Sequence, residues 1–233
     1  MTRYCRHIET GVPNCYMVVV DKDGLPVAAS KKADCCGGDM TGLKKTAATR
    51  VFEAARDLFY HRGIRAVGVD EIVCKAGVTK PSLYRAFASK DDLIAACLEE
   101  SGRESRAALE SVLEEGGENP HDKLRAMMRH FARKIAAPDF RGCPMSNTAV
   151  EIPEPGHPGR TVLENCKADM RAMIAAVTRQ LDIDDPEELA DGLMLIIEGG
   201  MATHHIFGSQ GPCATMVAAS DALIDAYLAK RPA

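Results

Sequence analysis

Apolar side chains recur at intervals of three and four residues along most of the chain, which is the pattern of helices with one buried face. The first stripe runs from Val51 to Phe59 and stops at Gly63. A second, shorter stripe stops at Gly77, and glycine readily adopts the left-handed conformation that closes a last helical turn. The sequence therefore predicts two successive helices that end at these glycines.

The same pattern predicts further helices towards the C-terminal end. A third helix is expected over residues 79–87, because Thr79 can cap it and Pro81 is tolerated in a first turn. A fourth begins at Ser89, where two aspartates follow the cap, and reaches about residue 115. The remaining stripes predict helices over residues 120–136, 143–151, 159–181, 186–207 and 212–229.

Residues 1–43 do not share the helical pattern. Two apolar runs flank the turn-forming letters DKDG, which predicts a small β-hairpin over residues 15–30, followed by a charged, glycine-rich linker. The chain has nine cysteines without a regular framework, and neither a signal peptide nor an apolar run of membrane-spanning length. We therefore expect a cytoplasmic protein with free thiols. The four cysteines of this extension are Cys5, Cys15, Cys35 and Cys36.

Charge is distributed unevenly along the chain. Residues 44–97 carry a net charge of +4 and residues 98–233 carry −8, although the whole chain carries only −4. Such an asymmetry is expected when one part of a protein contacts a polyanion and another part does not. Ordinary local variation in composition is the alternative.

The second and third predicted helices form a recognisable unit. A short helix, a turn that contains glycine and another short helix is the arrangement that places its second helix in the major groove of DNA. The N-terminal side chains of that helix would face base edges, and later side chains would face phosphates. The candidates are Thr79 and Ser82 for bases, Lys80 for a guanine or a phosphate, and Tyr84, Arg85 and Lys90 for phosphates.

Four short motifs occur within residues 50–94, which read RVFEAARDLFYHRGIRAVGVDEIVCKAGVTKPSLYRAFASKDDLI. They are AA..LF...G in the first helix, I...AGV in the second, LY..F in the third and SK..L at the start of the fourth. At these spacings the segment resembles the DNA-binding domain of the TetR/AcrR family of bacterial transcriptional regulators. RGCPMSNTAVEI, at residues 141–152, is similar to a segment in one group of these regulators.

The resemblance implies an all-α fold. Residues 44–92 would form an N-terminal three-helix DNA-binding domain with a helix-turn-helix, and residues 93–233 a C-terminal helical domain for effector binding and dimerisation. The extension over residues 1–43, with its β-hairpin, would precede them. The resemblance also implies that the chain is not an enzyme and uses no cofactor, and no GxSxG, Walker, HExxH or dinucleotide-binding motif is present in the sequence.

The resemblance further implies a homodimeric repressor. Its two recognition helices would enter successive major grooves of a palindromic operator, ~34 to 36 Å apart, and a small-molecule effector would shift the fourth helix and release the DNA. Two departures from the family pattern are Gly68, where many members have Ser or Thr, and Ala86, where many have His or Tyr. The family pattern assigns the bases to Thr79, Lys80, Pro81 and Ser82, and the DNA backbone to Tyr84 and Lys90.

An effector pocket is expected among the fourth to eighth helices. Glu198 is an informative candidate, because a carboxylate within the apolar run LMLIIEGG needs either a ligand or an ion-pair partner. Cys143 and Cys166 are interpreted as small apolar side chains rather than reactive thiols. The predicted pocket residues are Met127, Phe131, Cys143, Met145, Asn147, Glu151, Cys166, Met170, Met194, Glu198, Met201 and His205, with Thr148 nearby.

Several alternatives stay open at this point. Apolar stripes over residues 163–181 and 189–207 would fit a four-helix dimer interface, or they would pack inside one subunit. The N-terminal residues Cys15, Cys35 and Cys36 would make the chain a metal- or thiol-responsive regulator, although their spacing matches no zinc framework. A DNA-binding protein without a small-molecule effector is the third alternative, and a C-terminal cavity filled by its own side chains would favour it.

Overall fold

The computed structural model describes residues 17–20, 26–30 and 45–229. The chain divides into two compact units, Met1–Lys44 and Lys45–Ala233. The smaller unit contains strand β1, Met17–Val20, which pairs antiparallel with strand β2, Pro26–Ser30. Both strands lie inside the range predicted for the hairpin. The cysteines at positions 5, 15, 35 and 36 lie outside the described residues.

The described residues of the larger unit form nine α-helices and one short 3-10 helix, close to the predicted ranges. The last predicted helix is divided, because residues Pro212–Thr215 form the 3-10 helix before α9 begins. The helices are α1 Ala47–Arg62, α2 Val69–Ala76, α3 Lys80–Ala86, α4 Lys90–Glu115, α5 Pro120–Ile135, α6 Pro144–Glu151, α7 Pro158–Thr178, α8 Pro186–Phe207 and α9 Met216–Ala229.

Local sequence signals explain where several helices begin and end. The Thr46 hydroxyl accepts a hydrogen bond from the Thr49 amide at 3.1 Å and caps α1. The Ser89 hydroxyl caps α4 in the same way, at 3.0 Å from the Asp92 amide. Gly77 has φ +62° and ψ +40°, the left-handed conformation that ends α2. These ends fix the positions of α3 and α4 relative to α2.

Two apolar cores hold the larger unit together, and α4 passes through both. The first core packs α1, α2 and α3 against the start of α4, with α6 and the start of α7 beside them. The second core lies between α5, α7, α8 and α9 and includes Leu109 from the far part of α4. At 26 residues, α4 is about 39 Å long. Helix α4 also crosses the domain boundary that was predicted between residues 92 and 93. The division into two domains at that boundary stays a prediction.

The apolar stripes of α7 and α8 pack within the subunit except at Phe207, which is 60% exposed, and a dimer interface formed by these helices stays a prediction. Leu163, Ile174 and Val177 of α7 are at most 4% exposed, and Leu189 and Leu193 of α8 are fully buried. They contact the two cores because α7 lies between α4 and α8. The periodicity marked a buried face correctly, but it cannot tell which helix covers that face. None of the helices in the described residues has the length and hydropathy of a transmembrane span.

Candidate functional site

A side chain of α1 forms a hydrogen bond to the turn between α2 and α3. The Arg50 guanidinium donates a hydrogen bond to the Gly77 carbonyl at 3.2 Å. Gly77 also donates its own amide to the last turn of α2, which closes that helix. Because both contacts fix the backbone of the turn, the angle between α2 and α3 is set before any partner binds.

Helix α3 is attached to the protein by one side and is exposed on the others. Leu83 is the one buried side chain among the seven described residues of α3. Tyr84 is 49% exposed, although a tyrosine can bury most of its ring. Five predicted DNA contacts on this helix and its cap position are exposed, and Ser82 is half-buried; the five are Thr79, Lys80, Pro81, Tyr84 and Arg85.

The polar side chains at the start of α3 are held by weak, exposed interactions. Lys80 forms an ion pair with Asp70 of α2 at 2.7 Å, and this hydrogen bond raises the pKa of Lys80. The hydroxyls of Thr79 and Ser82 lie 3.0 Å apart. Exposed pairs of this kind contribute little to stability, so a polyanion can replace them at low cost.

Lys90 differs from the other predicted contacts. Its ammonium group donates to the Ile64 carbonyl at 2.7 Å and lies 5.8 Å from the centre of the Phe59 ring. Burial lowers the pKa of Lys90. To reach a phosphate this side chain would have to leave these contacts, so its role at the DNA backbone stays a prediction.

A cavity of about 910 Å³ lies between α1, α4, α5, α6 and α7. Its wall is mainly apolar, with charged groups along part of it. Six of the twelve predicted pocket residues are in this wall, and Thr148 joins them. The six are Cys143, Met145, Asn147, Glu151, Cys166 and Met170.

The other six predicted residues do not line the cavity. Three of them, Met127, Phe131 and Met201, are at most 5% exposed within the second core. Glu198 forms an intrachain ion pair with Lys167 and accepts a hydrogen bond from the Ser146 hydroxyl at 2.8 Å. Met194 and His205 complete this group, and both lie on α8, which contributes no residue to the cavity wall.

Several wall residues were missed by the sequence analysis because they are polar. Arg56 of α1 and Glu104 of α4 form an ion pair across the wall, with one contact at 2.8 Å. His130 and Lys134 project from α5 at a helical spacing of four. Each directly precedes a buried apolar residue of α5, Phe131 or Ile135, and this adjacency is the only sequence signal that would have indicated them.

The cavity wall is tied directly to the connection between α1 and α2. Glu151, at the end of α6, accepts a hydrogen bond from the Arg65 amide at 2.8 Å. The Tyr60 hydroxyl accepts from the Arg141 amide at 2.8 Å, just before α6. These hydrogen bonds join both ends of α6 to the end of α1 and to the connection that precedes α2.

The thiols of the cavity differ in their surroundings. Cys97 is 5% exposed, and burial raises its pKa to about 12. Burial, Asp169 and Cys143 also raise the pKa of Cys166. All five cysteines in the described part of the chain are free. No group of three metal-binding side chains occurs among the residues that were described.

Sequence comparisons find regulatory proteins. The profile of the family described as bacterial regulatory proteins, tetR family, matches residues 51–97. The HTH-type transcriptional activator FasR of Mycolicibacterium smegmatis is 37% identical over 78 residues, covering 34% of this chain and 35% of that protein. The HTH-type transcriptional repressor DhaR of a Mycobacterium species is 30% identical over 100 residues, covering 43% of this chain and 49% of that protein. The chain thus matches less than half the length of these two relatives.

A comparison with solved structures extends the similarity to the C-terminal helices. A TetR-type transcriptional regulator from Streptomyces avermitilis is 30% identical, with a TM-score of 0.70. The match covers 78% of this chain and 98% of that one. The resemblance inferred from residues 50–94 and the all-α fold class are therefore confirmed.

Proposed function

Because the chain belongs to the TetR family of bacterial regulatory proteins, we propose that it is a DNA-binding repressor that a small molecule releases from a palindromic operator. Regulators of this family bind DNA, form dimers and are not enzymes. The observation that carries the proposal is the exposure of α3, whose polar N-terminal side chains are free to face base edges. A helix anchored by Leu83 alone among its described residues can enter a groove without unfolding its neighbours.

The cavity supports a small-molecule effector over regulation without one. Its volume of about 910 Å³ lies within the range of ligand pockets and is not filled by the surrounding side chains. A molecule that occupies the cavity contacts α6, whose Glu151 holds the Arg65 amide. Occupation would therefore change the geometry of the helix-turn-helix. A coupling of ~1 to 3 kcal/mol would change operator affinity ~5- to 150-fold.

The second subunit of the dimer would dock on the outer face of α8. Leu195 and Ile206 are 74% and 75% exposed on this face, and Phe207 beside them is 60% exposed. Gly199 lies between them, with no described atom within 4 Å of the position of an added Cβ. An apolar stripe with a glycine at its centre allows two helices to approach closely. Replacing Leu195 with Glu should convert the dimer to a monomer in light scattering.

Selection of bound duplexes from a random DNA pool tests the central proposal. A palindromic consensus is expected, and failure to enrich any sequence would contradict DNA recognition. Lys80→Ala should then weaken binding and reduce the salt dependence by a slope of ~1, as for one lost phosphate contact. Lys75→Ala is the matched control, because Lys75 is exposed on α2 and paired with Asp57, away from the groove-facing side of α3.

The effector can be sought by thermal-shift screening of metabolites. A molecule that binds the folded protein raises its melting temperature. A true effector must also lower operator affinity, by the same factor by which it binds the DNA-free protein more tightly than the DNA-bound protein. A ligand that stabilises the protein without changing operator affinity would contradict the proposed release.

A further inference from the structure

One hydroxyl group in the cavity wall is buried without a hydrogen-bond partner. Thr148 lies on α6, is 2% exposed and lines the cavity. Its backbone carbonyl accepts the Ile152 amide at 2.8 Å, but no hydrogen bond joins its side-chain hydroxyl to any atom in the described part of the chain. Because a buried hydroxyl without a partner destabilises a folded protein, its presence in this wall needs an explanation.

The other buried hydroxyls are satisfied by the protein itself. Thr148, Thr178 and Ser220 are the three buried polar side chains of the described residues. Thr178 donates to the Pro186 carbonyl at 2.7 Å, and Ser220 donates to the Val217 carbonyl at 2.8 Å. A helical threonine commonly donates to the carbonyl four residues earlier, and Thr148 makes no such bond. Its hydroxyl is therefore available to a molecule in the cavity.

Most charged groups of the wall are neutralised by ion pairs within the protein. The pairs include Arg56 with Glu104, Arg106 with Asp169 and Lys167 with Glu198. Lys134, Glu99 and Glu151 of the wall have no ion pair among the described residues. The first two are exposed to solvent, and Glu151 accepts the Arg65 amide. A charged group on a ligand would therefore lose its hydration in the buried part of the cavity without gaining a free countercharge there.

The rest of the wall is mainly apolar. Side chains such as Ile94, Leu98 and Met145 form much of its surface. An apolar molecule gains free energy when it leaves water for such a surface. Ligand pockets typically combine an apolar lining with a few polar groups that fix the orientation of the ligand. The buried hydroxyl of Thr148 is suited to that orienting role.

We propose that the cavity binds uncharged, largely apolar organic molecules through an oxygen atom that accepts a hydrogen bond from the Thr148 hydroxyl. A carbonyl or a hydroxyl oxygen on the ligand supplies this acceptor. The inference rests on the proposed function, because it names the chemical class of the effector. Helix α6 then carries both the ligand contact, at Thr148, and the hydrogen bond from Glu151 to the Arg65 amide.

Calorimetric titration of the full chain with molecules that share one ring system tests the class of ligand. The probes are 1-tetralone, 1-tetralol, tetralin, 1-aminotetralin and tetralin-1-carboxylate. The ketone and the alcohol should bind about fivefold more tightly than tetralin, as expected for one neutral hydrogen bond. The cationic amine and the carboxylate should bind at least about tenfold more weakly than the ketone. Equal or tighter binding of either charged probe, or no binding of the ketone, would overturn the proposal.

Two substitutions at Thr148 separate the role of its hydroxyl from the role of its size. Thr148→Val keeps the shape and should lower the affinity for 1-tetralone about fivefold, to that of tetralin, without changing tetralin binding. Thr148→Ser keeps the hydroxyl and should retain the preference for the ketone. Thr148→Val should also leave the melting temperature unchanged or raise it, because it removes a buried hydroxyl without a partner. An unchanged ketone preference in folded Thr148→Val would overturn the role of Thr148.

Thr178→Val is the matched control. The Thr178 hydroxyl is also buried, but it donates to backbone carbonyls, and Thr178 is not part of the cavity wall. The control should therefore lower the melting temperature and leave the affinity for 1-tetralone unchanged. If Thr178→Val lost as much ketone binding as Thr148→Val, the preference would follow overall stability, and the role assigned to Thr148 would be wrong.

Operator binding measured with the same probes separates this inference from the proposed function. Ketone binding through Thr148 that also weakens operator binding supports both. Ketone binding through Thr148 by a chain that selects no DNA sequence supports the ligand class and contradicts the proposed regulator. Specific DNA binding without a ketone preference that depends on Thr148 contradicts the ligand class alone.

Discussion

The recognition helix α3 and the cavity are built in opposite ways. Helix α3 is a continuous run of seven residues whose polar side chains are exposed and weakly held. The cavity draws its wall from five helices that are far apart in sequence, and its polar groups are mostly locked in ion pairs or hydrogen bonds. The first surface is therefore suited to a large partner that supplies its own charges, and the second to a small molecule that must fit an existing shape.

The largest expected effect tests how α3 is attached. Leu83→Ala should lower the free energy of unfolding by about 3 kcal/mol, because it removes the fully buried anchor of the helix and leaves a cavity. Urea denaturation measures the change. Tyr84→Phe, at the next position, should stay within about 0.5 kcal/mol because its hydroxyl is on an exposed side chain. Equal losses in both variants would show that α3 is not held by one side chain.

A somewhat smaller loss of stability is expected from a substitution at Gly142, in the cavity wall. Gly142 has φ +88°, and an added Cβ would overlap His205 Nε2. Gly142→Ala should therefore cost about 2 kcal/mol of stability. The control is Gly68→Ala, because Gly68 has φ −90° and open space for a Cβ, and this change should alter stability by no more than about 1 kcal/mol. Calorimetric unfolding of both variants decides between strain and a general intolerance of alanine.

The next prediction is that a serine at position 68 strengthens DNA binding. Gly68 begins α2 without a side chain to cap it. Gly68→Ser should supply a cap, worth a few tenths of a kcal/mol in stability. It should also add a hydrogen bond to a phosphate, which at about 1 kcal/mol strengthens operator binding roughly fivefold.

Fluorescence anisotropy at several salt concentrations measures the effect of Gly68→Ser on binding. The salt dependence should not change, since serine carries no charge and releases no counterion. Gly68→Ala is the control, because it adds a side chain with no hydroxyl. The predicted phosphate contact would be wrong if alanine strengthened binding as much as serine.

The smallest expected effect is on the pH dependence of stability, through His130 in the cavity wall. Burial, Lys134 and Arg133 lower the pKa of His130 from its ordinary value of 6.5. As the pH falls below 6.5, the unfolded chain binds a proton at His130 before the folded chain does. The contribution of His130 to the free energy of unfolding is therefore complete above pH 6.5 and decreases as the pH falls towards the lowered pKa. His130→Gln should flatten that decline in urea unfolding. The exposed His61, changed to Gln, is the control and should leave the decline in place.

The two regions also differ in how far the sequence predicted them. The helix-turn-helix was predicted correctly because its signals are local: a glycine ends α2, Pro81 lies in the first turn of α3, and the polar side chains follow at once. Thr79 occupies the cap position of α3, but its side chain makes no capping hydrogen bond. Six of the twelve predicted pocket residues line the cavity, and effector binding there stays a prediction. On α5, the stripe of Met127 and Phe131 faces the second core, while His130 and Lys134 face the cavity. Periodicity defines which side chains share a face, but the packing of distant helices decides what that face meets.

Glu198 shows the same limit for a single residue. Its carboxylate within an apolar run predicted either a ligand or an ion-pair partner, and the structure places Lys167 beside it. The partner lies 31 positions earlier on another helix. No local pattern relates the two positions, so only the crossing of α7 and α8 could reveal the pair. The dimer interface is a related case, because α7 and α8 bury most of the two stripes within the subunit, while the contact of α8 with a second subunit stays a prediction.

The Glu151 carboxylate has a practical consequence for biosensor engineering. It lies in the cavity wall and also accepts a hydrogen bond from the Arg65 amide, so in the proposed function it would connect effector binding to the helix-turn-helix. Met145 and Met170 share the wall without that connection. Under the proposed function, substitutions at the two methionines would change which effector the cavity binds, while an unchanged Glu151 would keep its hydrogen bond to the segment that precedes α2.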